Sequence, residues 1–200
     1  MIGQTDRAQA FTLEGFVGSI VLLLAVLFAI QAVVITPTTG GLADRTTQAQ
    51  LQQEASDALA VASQGGDLSE TVLDWDPDGD GTFDGANQPS APGQDEATYS
   101  PEEFNETVLG DILEERFTND GWSYNVELVY DDGGTSNSTY LVYQGSAPSD
   151  AFTASQVVTL YSEDELANGD SIDDSNHPVP QAAPENNEIH NLVEVRVILW

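Results

Sequence analysis

The residues best suited to chemistry lie in one acidic segment, DWDPDGDGTFD, at positions 74–84. Its carboxylates stand at alternating positions and are followed by glycine. This spacing is typical of calcium loops, which need hard oxygen ligands and a residue that permits a tight turn. The predicted ligands are Asp76, Asp78, Asp80 and Asp84. Asn87 stands where an EF-hand has a bidentate glutamate, so a solvated acidic linker is the competing interpretation.

The remaining polar residues form no catalytic pattern. The sequence has no cysteine, which excludes disulfides and thiolate metal sites. Its two histidines, His177 and His190, stand apart in acidic sequence with no nucleophile motif nearby. No glycine-rich phosphate loop follows a strand pattern. We therefore expect no enzymatic activity and no cofactor beyond the calcium considered above.

Two sequons for N-glycosylation are present, Asn105-Glu106-Thr107 and Asn137-Ser138-Thr139. The second lies beside a predicted hairpin turn, which makes it the more accessible of the two. Sequons also arise by chance, so both stay candidates.

The charge balance is extreme, with 34 acidic residues against four basic ones and a net charge of −30. Such a chain repels itself in dilute salt, whereas at molar salt the Debye length falls to about 3 Å and the repulsion is screened. The composition therefore favours a halophilic source. A hydrophobic fraction of 40% argues against a disordered acidic chain. Nucleic acid binding is excluded because no basic patch exists to neutralise phosphates.

Residues 16–35, FVGSIVLLLAVLFAIQAVVI, form an uncharged run of twenty residues. A helix of that length spans about 30 Å, the thickness of a bilayer core. The run therefore predicts a membrane-spanning helix that ends near Pro37, with the acidic portion outside the cell. A cleaved secretory signal is the competing interpretation, but no small-x-small cleavage site follows the run.

The residues before this run, DRAQAFTLEGF at 6–16, resemble the processing region of archaeal type IV pilins and archaellins. Within it, Arg7-Ala8-Gln9 resembles the cleavage site, which implies that a prepilin peptidase removes residues 1–8. A cut after Ala10 stays open. The resemblance also implies helix packing between subunits, in which Glu14 pairs with the new amino terminus. In the other interpretation Glu14 lies among lipid headgroups.

The rest of the chain predicts a mixed domain. An apolar stripe in residues 48–63 indicates a helix that packs either on the domain's own sheet or in a stalk between subunits. A capping box at Ser100 begins a second helix, which carries Phe104, Val108 and Leu113 on one face. Alternating patterns predict strands, and a solvated acidic loop is expected between the last two. The strands are 122–130, 139–143, 156–161 and 192–200, and the loop is 163–188.

These elements predict an α+β fold: a long N-terminal hydrophobic helix of transmembrane or pilin type, then an antiparallel four-stranded sheet packed with one or two helices. The predicted divisions are a leader peptide (1–8), the transmembrane or pilin-type helix (9–36), a linker and amphipathic helix (37–66), an acidic loop rich in Gly, Pro and Asp (67–99), and an extracytoplasmic head (100–200).

Two functions fit this organisation. The first is a non-catalytic pilin-like surface subunit, or minor pseudopilin, of an archaeal type IV pilus-like system. Its partners would be membrane lipid, prepilin peptidase and other pilin-like subunits. The alternative is a non-polymerising, single-pass anchored protein whose acidic extracellular head binds a ligand or partner. Both place the chain in the cell membrane with its C-terminal domain outside.

Overall fold

The computed structural model describes residues 5–31, 40–78, 82–174, 176–182 and 188–200. The chain forms two compact units, Met1–Asp44 and Arg45–Trp200. The first unit contains helix α1 (Thr5–Gln31). Helix α2 (Gly40–Gly65) begins at the end of this unit and continues into the second.

The prediction of a membrane-spanning helix is wrong for the described residues. Among them, no helix combines the length and the apolar character needed to cross a bilayer. The apolar run on which the prediction depended continues to residue 35, whereas α1 ends at Gln31, and residues 32–39 lie outside the described part. At its other end, α1 includes the charged residues Asp6, Arg7 and Glu14.

The second unit has the predicted α+β character and an antiparallel four-stranded sheet. The sheet order is β4-β3-β6-β5, and every neighbouring pair is antiparallel. The helices are α2, α3 (Asp67–Leu73), α4 (Pro101–Phe104) and α5 (Val108–Arg116). A two-stranded hairpin consists of β1 (Trp75–Asp76) and β2 (Thr82–Phe83). The main strands are β3 (Tyr124–Asp132), β4 (Thr135–Val142), β5 (Phe152–Tyr161) and β6 (Ile189–Leu199).

The two faces of the main sheet differ as the alternating sequences require. On the inner face, β3 and β6 bury valine, leucine and tyrosine side chains in the core. On the outer face, Arg196 pairs with Glu127 at 3.2 Å and with Glu194 at 2.8 Å. The inner face is therefore the one that needs a covering layer.

Helix α2 contributes to that layer. Ala55, Leu59 and Ala62 are fully buried in the same core cluster as the sheet residues. The helical spacing of these residues and the small size of the two alanines allow close packing. The apolar stripe of this helix therefore packs on the domain's own core, which was the first of its two predicted roles.

The predicted helix after Ser100 is divided into two. Its capping box is present, with the Glu103 backbone N–H donating to Ser100 Oγ at 3.2 Å and the Ser100 backbone N–H donating to Glu103 Oε2 at 2.7 Å. The helix then stops because Thr107 caps a new one, α5, by accepting from the Gly110 backbone N–H at 3.0 Å. Val108, predicted on the apolar face, is consequently 47% exposed.

Candidate functional site

Helix α1 exposes apolar side chains in all directions. Every residue from 13 to 28 is exposed. Eleven of them are large and apolar, with exposed fractions from 41% at Ile20 to 77% at Phe28. A helix that is apolar all round is normally buried, because water solvates no side of it well. Within the described part of this helix, the apolar side chains are left exposed on every side.

The predicted assembly and processing residues all lie on α1. Glu14 is exposed within its apolar surroundings. Gly15 and Gly18 flank its C-terminal side, and no described atom lies within 4 Å of where a Cβ would stand on either. Arg7, Ala8 and Gln9 belong to the same helix, although their side chains lie outside the described residues. Small residues next to a carboxylate leave room for a second helix to approach.

The predicted calcium loop forms the β1–β2 hairpin. Asp76 pairs with Thr82 across the hairpin, and the Asp78 backbone N–H donates to Asp76 Oδ1 at 3.0 Å. Asp78 Oδ2 accepts a hydrogen bond from Asn168 Nδ2 at 3.1 Å. Asp80 lies outside the described residues. Within the described part of the chain, no group of three or more acidic or histidine side chains is placed to hold a metal ion. Calcium binding stays a prediction.

The fourth predicted ligand, Asp84, lies instead beside Asp74 in an acidic cleft that the sequence patterns did not indicate. The Asp84 backbone N–H donates to Asp74 O at 2.9 Å, and Tyr99 Oη donates to Asp84 O at 2.8 Å. Glu103 and Glu106 line the same cleft. The two aspartates are ten residues apart in sequence, so no local pattern predicted the cleft. The β1–β2 hairpin brings them together.

Electrostatics in this cleft favour protonated groups. Burial, followed by the nearby charges of Asp84 and Glu70, raises the pKa of Asp74 to about 6. Burial and the charge of Asp74 raise the pKa of Tyr99 well above its usual range. Asp74 is therefore a carboxylic acid below about pH 6.

His177 is a buried structural residue rather than an isolated one. Its Nδ1 accepts from the Val179 backbone N–H at 3.1 Å, which places the ring proton on Nε2. Nε2 then donates to Val72 O at 2.9 Å. The ring meets Trp75 edge-on at 5.6 Å. Burial lowers the pKa of His177 to about 4, so the neutral ring holds residues 176–179 against the core.

His190 holds the same segment from the other side. It is 3% exposed. Its Nδ1 lies 2.7 Å from Asp173 Oδ1, and its Nε2 lies 3.0 Å from Val179 O. Both partner atoms are hydrogen-bond acceptors. The two histidines thus meet at Val179, one bound to its N–H and the other to its carbonyl oxygen.

The predicted solvated loop at 163–188 is consequently attached to the core by four buried side chains, while residues 167–170 are exposed. Leu166, Ile172, His177 and Val179 are all buried. Single apolar residues separated by acidic ones leave no periodic pattern, which is why the sequence indicated a solvated loop. The two sequons also differ in placement: Asn105 lies at the end of α4, and Asn137 lies exposed in β4.

Comparison with known proteins places the chain in a family without assigning it a role. A model of a family of unknown function, DUF7288, matches residues 7–199. The chain belongs to this family. Comparisons with curated proteins and with solved structures gave no match.

Proposed function

We propose that this chain is a non-catalytic, pilin-like surface subunit of an archaeal type IV pilus-like system. In this proposal α1 packs against the α1 helices of other copies. The observation that carries it is the unbroken exposure of apolar side chains from residue 13 to residue 28. Like helices are the partners that best match such a surface, because each copy then buries the apolar surface of the next.

The arrangement of the second unit supports the same role. Residues 45–200 form a compact unit with its own core, so they need no assembly to bury their apolar residues. Their acidic surface favours an extracellular, concentrated-salt setting, where the charges of neighbouring heads are screened. A subunit with a self-sufficient head and an unsatisfied helix is suited to polymerisation through the helix.

The residues around the start of α1 supply the maturation step of the proposal. Cleavage by prepilin peptidase after Ala8 would leave Gln9 as the new amino terminus. Glu14 would then lie five residues further along the same helix. A carboxylate among apolar helices is costly unless it is paired, so the new amine of the same or a neighbouring subunit is its natural partner.

A matched pair of substitutions tests the proposed assembly. Val21 on α1 and Val61 on α2 are both exposed valines on helices, at 59% and 58%. We would express the full chain in a halophilic archaeal host, shear the cells, and measure the chain in the released filament fraction by immunoblotting and electron microscopy. V21E should lower that fraction at least about tenfold, since a buried ionised carboxylate is strongly unfavourable. V61E should leave it unchanged.

The outcomes separate the two functions. Equal loss in both variants, or none in V21E, would contradict assembly through α1. Mass spectrometry of the mature amino terminus adds an independent readout. A terminus at Gln9 supports processing by prepilin peptidase. An intact Met1 together with a monomeric chain supports the non-polymerising alternative.

A further inference from the structure

The two sequons occupy contrasting places in the fold. Asn105 ends α4 in helical conformation, and its Oδ1 is buried without a hydrogen-bond partner among the described residues. Thr107, the hydroxyl residue of this sequon, donates to Phe104 O at 2.8 Å and accepts from Gly110 N at 3.0 Å. Both ends of the sequon are therefore part of the α4–α5 junction, where a bulky sugar would disrupt the cap.

Asn137 lies in an open position. It belongs to β4 beside the Gly133-Gly134 turn, and residues 135–138 are all exposed. Its Oδ1 accepts from the Ser138 backbone N–H at 2.9 Å. Its Nδ2 makes no hydrogen bond within the described part of the chain, so the nitrogen that would receive a sugar is not engaged elsewhere. A large polar group at this position would project into solvent.

The burial of Thr139, the hydroxyl residue of this sequon, bears on whether a glycan could be attached before or after folding. Thr139 is only 2% exposed, and its Oγ1 lies 3.4 Å from Glu96 Oε2. Gln94 binds the backbone of the next residue of β4. Its Nε2 donates to Tyr140 O at 3.1 Å, and its Oε1 accepts from the Tyr140 N–H at 2.6 Å. A transferase can reach Thr139 only before residues 94–96 close over β4.

We infer that Asn137 carries an N-linked glycan, that Asn105 does not, and that the glycan is attached before the chain finishes folding. The inference rests on the surface location in the proposed function. The donor would be a glycan linked to a lipid phosphate. A bond forms between Asn137 Nδ2 and the anomeric carbon, the bond from that carbon to the phosphate oxygen breaks, and the lipid phosphate leaves with the electron pair. The proton lost from Nδ2 passes to a base of the transferase.

The scarcity of basic residues makes the test simple. Trypsin cuts this chain after Arg7, Arg45, Arg116 and Arg196, so the two sequons fall in separate peptides, 46–116 and 117–196. We would purify the full chain from a halophilic archaeal host that glycosylates its own surface proteins and weigh both peptides. Peptide 117–196 should carry a glycan mass that N137Q and T139A remove and T139S retains. N105Q should leave the glycan mass on peptide 117–196 unchanged and should remove no glycan from peptide 46–116.

Two results would overturn the inference: an unmodified peptide 117–196, or a glycan on peptide 46–116. If such a chain still reaches the surface with its amino terminus at Gln9, only this inference fails; if it stays inside the cell, the proposed function fails with it. A second assay offers unglycosylated chain to membranes containing the transferase and donor. Denatured chain should be modified, and modification of folded chain to the same extent would contradict the proposed order.

Discussion

Helices α1 and α2 have almost the same length, 27 and 26 residues, yet they solve the problem of apolar surface in opposite ways. Between residues 46 and 65, α2 buries Ala55, Leu59 and Ala62 in the core and exposes a single large apolar residue, Val61. Between residues 13 and 28, α1 exposes eleven. The comparison shows that α2 places its apolar stripe in the core of the second unit, whereas the described part of α1 leaves its apolar side chains exposed.

The largest expected effect comes from adding one methyl group to Gly110 in the second unit, and the same change to Gly18 on α1 is its control. A Cβ on Gly110 would overlap the backbone carbonyl of Phe104 at the tight junction of α4 and α5. G110A should therefore lower the free energy of unfolding of the head by about 3 kcal/mol, or roughly 6–12 °C in the unfolding midpoint. Thermal unfolding followed by circular dichroism in molar salt measures it.

The matched variant is G18A on α1, where no described atom lies within 4 Å of the new carbon. It should leave the unfolding midpoint of residues 45–200 unchanged. If G110A were also harmless, the close approach of α4 and α5 would not exist in solution.

A smaller effect is expected from the histidine that packs residues 176–179 on the core. The pKa of His177 falls from its usual 6.5 to about 4 on folding, so between these values the unfolded chain binds more protons. The stability that the neutral ring provides is present above pH 6.5 and is lost as the pH falls to 4, by about 2–3 kcal/mol. H177Q should be less stable at pH 7 but should lack this component of the pH dependence.

Urea unfolding of both proteins at pH 7 and pH 4 measures the change. Many carboxylates titrate in the same range in both chains, so the difference between wild type and H177Q isolates the histidine. A constant difference across this range would show that the ring is not held neutral by burial.

The smallest effect concerns the acidic cleft. Because the pKa of Asp74 is raised to about 6, its charged form is disfavoured in the folded chain. The penalty is absent below about pH 4 and complete above about pH 6. Asp74 is partly exposed, so D74N should gain only about 1 kcal/mol of stability at pH 7.5, or about 2–4 °C in the unfolding midpoint, and nothing near pH 4.

Thermal unfolding of D74N at both pH values tests this prediction. The control for lost charge is D150N, which lies in an exposed loop. An equal gain in D150N would mean that general repulsion, rather than the cleft, limits stability.

Regular patterns predicted the main sheet well. Alternation in β3 and β6 indicated strands because one face of each is buried and the other is not. Strand β5 begins at Phe152, four residues before its predicted start. The prediction missed these residues because Thr153 and Ser155 weaken the apolar alternation at the start of the strand. The single helix predicted after Ser100 is two helices in the structure, and Thr107 caps the second. The sequence predicted one helix because its apolar residues continue at helical spacing past Thr107.

For the site residues too, the sequence predicted local features but not contacts between distant segments. The sequon at Asn137 was visible from the sequence, and so was its accessibility beside a turn. The burial of Thr139 under Glu96 was not visible, because residues 43 positions apart meet only in the folded chain. The long acidic segment indicated a solvated loop, since nothing local shows that His177 and His190 would find Val72 and Asp173 as partners.

The sequence by itself determined the acidic surface, the α+β class, the capping box at Ser100 and the concentration of apolar residues near the amino terminus. Each is a property of composition or of spacing within a few residues. Tertiary structure alone decided that Asp84 joins Asp74 rather than Asp76, that two histidines meet at Val179, and that Asn105 Oδ1 is buried whereas Asn137 is exposed. These depend on contacts between distant segments, and the physical reason is that burial and hydrogen bonding are set by which segments pack together, which no local pattern encodes.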